Sequence, residues 1–325
     1  MTLFIIIFFS SFVLTYLVKL FAQKRMLMDI PNERSSHVTP TPRGGGLAIA
    51  MVWFSVISYL NYSELIASNL YYALLSGVLI SIISFIDDIY TIKSLPRIIV
   101  QSISTLIALY FIGGLSFIDV GFFTIENPIF LNTLAFVAVI WFVNLFNFID
   151  GIDGHLSTGS IFIALALFIF SGDPLLVLLA LTVFGFLPWN WSKAKIFMGD
   201  IGSTLLGFTF AILMLYYNNT EQIPILTSLI LSAVFWFDAT FTIIKRYLNH
   251  EKIGQAHKKH AYQRIVQFGF SHQKTVLWVM AINSLLLIIA SLALVYHQFV
   301  VLFLLLIILL LWTIYKYIDT KKPFN

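Results

Sequence analysis

Cysteine is absent from the 325 residues, which excludes disulfides and thiolate metal centres. Charge is scarce as well. Lys, Arg, Asp and Glu make up 10% of the chain, where a soluble domain carries roughly 25%. No basic stretch precedes the first apolar run, and no small-residue cleavage site follows it, so it reads as a mature helix rather than a signal peptide. Internal repeats are also missing. What fills the sequence is apolar: 59% of residues are hydrophobic and the mean hydropathy is +0.93. The composition is that of an integral membrane protein.

A bilayer crossing takes about 20 apolar residues. Runs between charged or turn-rich breaks give eleven candidates, at 3–22, 44–62, 69–86, 97–115, 131–148, 156–171, 174–189, 202–217, 223–244, 275–296 and 298–317. The sixth and seventh are short and joined by a tight turn at Asp173-Pro174. Segment 116–130 is too broken to span and reads as a small β-hairpin on the outer surface. The expected fold is therefore an all-α membrane protein of about eleven transmembrane helices, in one polytopic domain over 1–325.

The charges orient it. Loops 23–43, 87–97, 149–155, 190–201 and 245–274, the tail and Lys19 together hold all 19 Lys and Arg, while the opposite loops hold none. The positive-inside rule makes the basic side cytoplasmic, with the N-terminus outside and the C-terminus inside. The chemistry-bearing motifs all fall on that side.

The most informative of them is Asn144-Leu-Phe-Asn147-Phe-Ile-Asp150-Gly-Ile-Asp153-Gly-His155. Two of only 15 acidic residues stand at the edge of hydrocarbon here, which is costly without a function. Polar groups three apart drift round a helix, so they cannot form one stripe. The helix ends near Phe148, and a glycine-punctuated loop presents the acids. The bland alternative is a polar helix end with glycine turns. Ile86-Asp87-Asp88-Ile-Tyr90 closes the third run: adjacent carboxylates point about 100° apart, suiting Mg²⁺-phosphate work or general-base duty, or a solvated helix end. Lys93 and Arg97 follow as phosphate-neutralising or anchoring charges.

Phe197-Met198-Gly199-Asp200-Ile201-Gly202-Ser203 precedes the eighth run, with glycines permitting close backbone approach and helix amides available to a phosphate. Asp200 or Ser203 capping that helix is the structural alternative. Loop 245–274 carries His250, His257, His260, Arg264 and His272 among five lysines. The His257-x-x-His260 pair suits a metal if helical, but its cationic setting favours pyrophosphate. Segment 29–46 adds three prolines, Arg34, His37, Arg43 and the triplet Gly44–Gly46, a rigid loop with candidate phosphate clamps. Asp238 lies inside the ninth run, a functional acid by default or a partner for Lys245 and Arg246.

Pro-Asn-x-Arg-x-x-His-x-x-Pro-x-Pro-Arg-Gly-Gly-Gly, Ile-Asp-Asp, Asn-x-x-Asn-x-x-Asp-Gly-x-Asp-Gly, Phe-x-Gly-Asp-x-Gly-Ser and His-x-x-His-x-Tyr-Gln-Arg follow one another across residues 29–264. In that order they resemble the polyprenyl-phosphate N-acetylhexosamine-1-phosphate transferases, the WecA, TagO, WbpL and MraY superfamily. The first and last motifs look most like the WbpL-type, O-antigen-initiating branch. The resemblance implies eleven spans and a Mg²⁺-dependent reaction, with Mn²⁺ as the alternative ion. A UDP-N-acetylhexosamine would react with undecaprenyl phosphate to give the polyprenyl-diphospho-sugar and UMP, at the cytoplasmic face of the bacterial inner membrane. Nucleic acid is not implied as a partner; a homodimer is compatible.

By motif position, Asp200 would be catalytic and ligate the metal, helped by Asn147. Asp87 would be base or lipid-phosphate positioner, with Asp88 beside it. Phe197 would stack on uracil and Asp153 contact the base, with Asp150 and Asn144 supporting that nucleotide wall. His257, His260, Arg264, Arg43 and Lys93 would hold phosphates. The late loop lacks the three adjacent histidines of the MraY type, which argues against a muramoyl-pentapeptide substrate. A Lys two residues after the Asp pair is also missing, with Lys93 or Arg97 in its place. A transporter is the rival class, but transporters place acids near the midplane and commonly show repeats. A membrane scaffold would leave the ordered Asp motifs unexplained.

Overall fold

The computed structural model describes residues 2–31, 39–90, 92–255 and 257–324; Arg34 and His37, read from sequence as phosphate clamps, lie outside them. In hydrocarbon every backbone group needs an internal partner, which drives each apolar run into helix. The chain runs through α1 (Thr2–Lys24), β1 (Met28–Asp29), β2 (Thr41–Pro42), α2 (Gly46–Tyr62), α3 (Ser68–Leu75), α4 (Gly77–Tyr90) and α5 (Ser94–Ile112). It continues through β3 (Ile118–Asp119), β4 (Thr124–Ile125), α6 (Pro128–Ile149), α7 (His155–Ser171), α8 (Pro174–Asn190) and α9 (Gly199–Asn219). The last elements are α10 (Ile225–Leu231), α11 (Ala233–Leu248), α12 (Ala261–Gln267), α13 (His272–Val295) and α14 (Val300–Lys321).

The fold is all-α. Among the described residues, seven helices are long and apolar enough to cross a bilayer, counting α3 and α4 as one, or eight with the bent pair α10–α11. The shorter α2, α7 and α8 occupy the remaining apolar runs, so every run of the sequence is helical. The ninth run is not one straight helix: α10 and α11 meet at 80°, and Trp236 Nε1 donates to the Leu229 carbonyl across the break. The expected turn after the sixth run is present, with Asp173 accepting from the Leu175 amide at 2.9 Å. The expected hairpin is present too, β3 pairing antiparallel with β4.

Helix α9 is the axis. Of its apolar window 83% is buried inside the protein, against 17% for α1, and it packs on α2, α4 and α6. A helix apolar on all sides belongs at the centre. Its first turn therefore lies where α2 begins and where α4 and α6 end, and that junction holds the site.

Candidate active site

Backbone hydrogen bonds bring the first pieces together. The Phe197 amide donates to the Pro42 carbonyl at 2.8 Å, Gly45 to the Phe197 carbonyl at 2.9 Å, and Gly46 to the Met198 carbonyl at 2.7 Å. The starts of α2 and α9 then touch backbone to backbone. A Cβ on Gly46 would lie 2.2 Å from the Gly202 nitrogen, so both glycines are required by contact. This ladder delivers Arg43 to Asp200.

The cap of α9 comes from another helix. The sequence offered Asp200 or Ser203 as its own cap; instead Asp88, in the last turn of α4, accepts from the amides of Asp200 at 3.0 Å and Ile201 at 3.3 Å. Unpaired amides and the positive helix end favour a carboxylate there. Gly199 makes the approach feasible, with φ +74 and a would-be Cβ 2.6 Å from Asp88 Oδ2. Arg43 Nη2 closes on Asp88 Oδ1 at 2.6 Å. Both oxygens of Asp88, expected beside Asp87 in the catalytic set, are thereby engaged with the protein.

Asp200 is left facing the junction. Its Oδ1 meets Arg43 at 2.9 Å, and its Oδ2 meets Arg97 at 3.4 Å and Asn147 Nδ2 at 3.2 Å. Arg97 also holds Asp87 at 2.6 Å, whose other oxygen accepts from the Ile92 amide. Ser203 donates to Asn147 Oδ1 at 2.9 Å. Three carboxylates, Asp87, Asp88 and Asp200, thus share two guanidiniums, Arg43 and Arg97. Lys93, the other expected phosphate ligand of this segment, stands exposed at the start of α5. Arg97, one helical turn further, is the cation that reaches the acids.

Loop 149–155 forms the next wall. The α6 helix ends at Ile149 as expected, and buried His155 turns Nδ1 back to the Ile149 carbonyl at 3.0 Å. Asn144 donates to Gln101 Oε1 at 2.9 Å, a supporting contact. Asp153 Oδ2 accepts from the Ala194 amide and lies 3.2 Å from His272 Nδ1, so one of its oxygens is committed to the protein. Asp150 has no hydrogen-bond partner for its carboxylate among the described residues. Burial pushes its carboxyl well up, and the charges of Asp200, Asp88 and Asp153 add to that against Arg43. Phe197, three residues after Ala194, is half-buried.

The late loop is built differently from expectation. Arg264 is 2% exposed, paired with Asp319, hydrogen-bonded to the Lys322 carbonyl and stacked on Tyr315 at 4.5 Å. Expected at a phosphate, its guanidinium is instead packed inside the protein against the C-terminal segment. His260 is buried as well, 3.7 Å from Asp238. His257 is half-buried with its ring 4.9 Å from His260. Burial, then His260 and Arg246, pull its pKa down to about 3 against Glu251 and Asp238, so it is neutral at neutral pH. Asp238 does not serve Lys245 and Arg246, which pair with Asp319 and Glu251.

Arg97 and His272, named from the sequence, are brought to the site, and Tyr262 stands in the His-x-x-His-x-Tyr-Gln-Arg motif, which gave it no role of its own. Gln101 alone of these contacts had no signal: a lone glutamine in an apolar run is ordinary until the fold sets it against Asn144.

The glycosyl transferase family 4 model matches residues 70–218, a span that includes Asp87, Asn147 and Asp200. The chain is 34% identical, over 86% of its length and 81% of the relative's, to a probable undecaprenyl-phosphate N-acetylglucosaminyl 1-phosphate transferase of Bacillus subtilis (strain 168). It is 30% identical to a decaprenyl-phosphate N-acetylglucosaminephosphotransferase of Mycobacterium leprae (strain TN), covering 82% and 76% of the two chains. It is 28% identical to an undecaprenyl-phosphate alpha-N-acetylglucosaminyl 1-phosphate transferase of Escherichia coli (strain K12), covering 87% and 82%. With Arg43, Asp87, Asp88, Asn147 and Asp200 gathered at one helix junction of a multi-pass membrane protein, the chain belongs to the polyprenyl-phosphate N-acetylhexosamine-1-phosphate transferases of glycosyl transferase family 4.

Proposed function

We propose that this protein transfers an N-acetylhexosamine-1-phosphate from a UDP-sugar to undecaprenyl phosphate at the cytoplasmic face of the bacterial inner membrane, releasing UMP. The carrying observation is that Asp200 meets Arg43, Arg97 and Asn147 where α4, α6 and α9 converge, in a chain whose relatives are named for polyprenyl phosphates. Those names specify N-acetylglucosamine, which makes UDP-GlcNAc the first substrate to test. Initiation of O-antigen or another surface polysaccharide is the cellular role we propose for the product.

An oxygen of the lipid phosphate attacks the sugar-bearing phosphorus. The bond from that phosphorus to the bridging oxygen breaks, and UMP leaves with the electron pair. Such transfers rest on positioning and charge neutralisation. Arg43 and Arg97 supply fixed positive charge that Asp88 and Asp87 hold in place. The acceptor phosphate is already largely ionised near neutral pH, so no proton must be removed from it. Asp87, with both oxygens engaged, then positions Arg97 rather than acting as a base.

The donor set suits Mg²⁺. Asp200, Asn147 and the carboxylate of Asp150, which has no hydrogen-bond partner among the described residues, offer hard oxygen atoms. Among the described residues no three His, Asp or Glu side chains form a ready-made cage, and Mg²⁺ commonly uses one or two carboxylates with water and substrate phosphate. Asp200, with Asn147 turned to present Oδ1, would hold the ion, which when bound neutralises and orients the diphosphate. Ser203 has other acceptors in the Gly199 and Asp200 carbonyls, so it can release that oxygen.

The test is purified protein with undecaprenyl phosphate, Mg²⁺ and, in parallel, UDP-GlcNAc, UDP-GalNAc and related nucleotide sugars. Lipid-dependent UMP release with at least one sugar is expected; none with any sugar refutes the reading.

A further inference from the structure

We infer that Tyr262 is a positioning residue that sets the late basic loop against the acidic loop 149–155, with Asp238 holding its helix in place. The inference rests on the transferase reading above. Helix α12 has seven residues, too few to stand alone in water, so its placement must come from outside. Asp238, inside α11, supplies it: Oδ1 accepts from the Ala261 amide at 2.8 Å and Oδ2 from the Tyr262 amide at 3.4 Å. Thr242 donates to the same carboxylate at 3.1 Å. This is a second helix cap delivered from a different helix, parallel to that of Asp88 on α9. It answers the question of the intramembrane acid.

The helix so held drives Tyr262 into the acidic loop. Its side chain is 2% exposed, its ring stacks on His155 at 4.7 Å, and its hydroxyl donates to the Phe148 carbonyl at 2.9 Å. That carbonyl belongs to the last turn of α6, where the helix provides no partner. Gly151 sits directly under the hydroxyl: a Cβ there would come within 2.2 Å of Tyr262 Oη and 2.8 Å of Gln263 Nε2. Gly151 is not among the positive-φ glycines, so contact with α12, not backbone conformation, demands glycine. Asp150 precedes it and Asp153 follows two residues later. On the other side, His260 immediately precedes α12. One phenol thus fixes the distance between the two loops that the proposed nucleotide sugar must bridge.

The experiment uses the full-length purified enzyme and UMP release with varied UDP-GlcNAc, or whichever sugar wild type accepts. Tyr262→Phe removes only the hydroxyl. It is expected to raise KM for the nucleotide sugar about tenfold, the effect of one buried hydrogen bond, with kcat within about twofold. Gly151→Ala is expected to lower kcat/KM at least as far, and Tyr262→Phe added to it to recover part of the loss, because the clashing oxygen is gone. Unchanged kinetics in Tyr262→Phe, or two losses that simply multiply, would overturn the inference. If Gly151→Ala does not fold, Asp238→Asn replaces it; the same KM shift without a kcat change is expected, and wild-type kinetics overturn the inference. Wild-type enzyme that releases no UMP with any sugar sinks the transferase reading and this inference with it.

Discussion

Asp88 and Asp200, on different helices, are joined through the backbone: the Asp88 carboxylate receives the Asp200 amide at 3.0 Å while the Asp200 carboxylate points away into the junction. One acid holds the helix that presents the other. Asp88→Asn keeps the shape and one acceptor but removes the charge that Arg43 and the helix end share. It should destabilise the protein by about 1–2 kcal/mol, the scale of a lost helix cap, and lower turnover less than loss of Asp200 does. The check is the thermal midpoint beside the UMP assay. A wild-type midpoint with abolished turnover would instead make Asp88 a direct participant.

For Asp200 the expectation is reversed. Asp200→Asn leaves the cap and the ladder from Pro42 to Met198 intact, so folding should be close to wild type. Turnover should fall by at least about 10²–10³-fold, as when one preorganised electrostatic group is removed, and raising Mg²⁺ should not restore it. Retained Mg²⁺-dependent UMP release would refute the metal assignment.

The apolar runs made the helices legible, because in hydrocarbon a long uncharged run has one conformation open to it. The motif acids were legible for a related reason, as costs at the edge of hydrocarbon that demand a partner. What composition and spacing do not carry is which partner each acid finds across the chain. Asp88 is 112 residues from the amide it caps, and Arg264 is 55 from the carboxylate that buries it. A cation in a basic loop reads as available until the fold supplies its counter-ion. The bend between α10 and α11 was equally hidden, since a run that is apolar on average does not report the direction of its helix, and Ser232 at the break is unremarkable in sequence.

Arg97 gives the third test. Its Nη1 alone bridges Asp87 and Asp200, and lysine carries its charge on a shorter, differently shaped side chain that does not place a nitrogen at the same point. Arg97→Lys should therefore lower kcat/KM by about tenfold or more, while Lys93→Ala, at an exposed position, should stay within about twofold. Asp87→Asn should reduce kcat by loosening Arg97 yet leave the shape of the pH–rate profile unchanged, since Asp87 is assigned no proton to move. A lost basic-limb or acid-limb pKa in that variant would restore Asp87 as a base.

The late loop should carry an acid-sensitive stability of its own. His257 is held at about 3, below its ordinary 6.5, by burial and by His260 and Arg246, with Glu251 and Asp238 opposing. Between those values the unfolded loop binds a proton that the folded loop refuses, so stability falls as pH drops through that window. Burial tends to raise the Glu251 carboxyl, but Lys259 and Arg246 outweigh it and hold it below its ordinary 4.5. Its contribution is present above that value and is lost as pH falls through the lowered one. From pH 6.5 down to 4.5, His257 therefore acts ahead of Glu251. Tryptic cleavage at Lys252 or Lys258 should rise in wild type as pH falls across this interval, once corrected for the protease's own pH dependence. In His257→Gln the rise should be delayed until Glu251 begins to titrate. An identical pH dependence in the two proteins would show that the imidazole is not what tightens this loop.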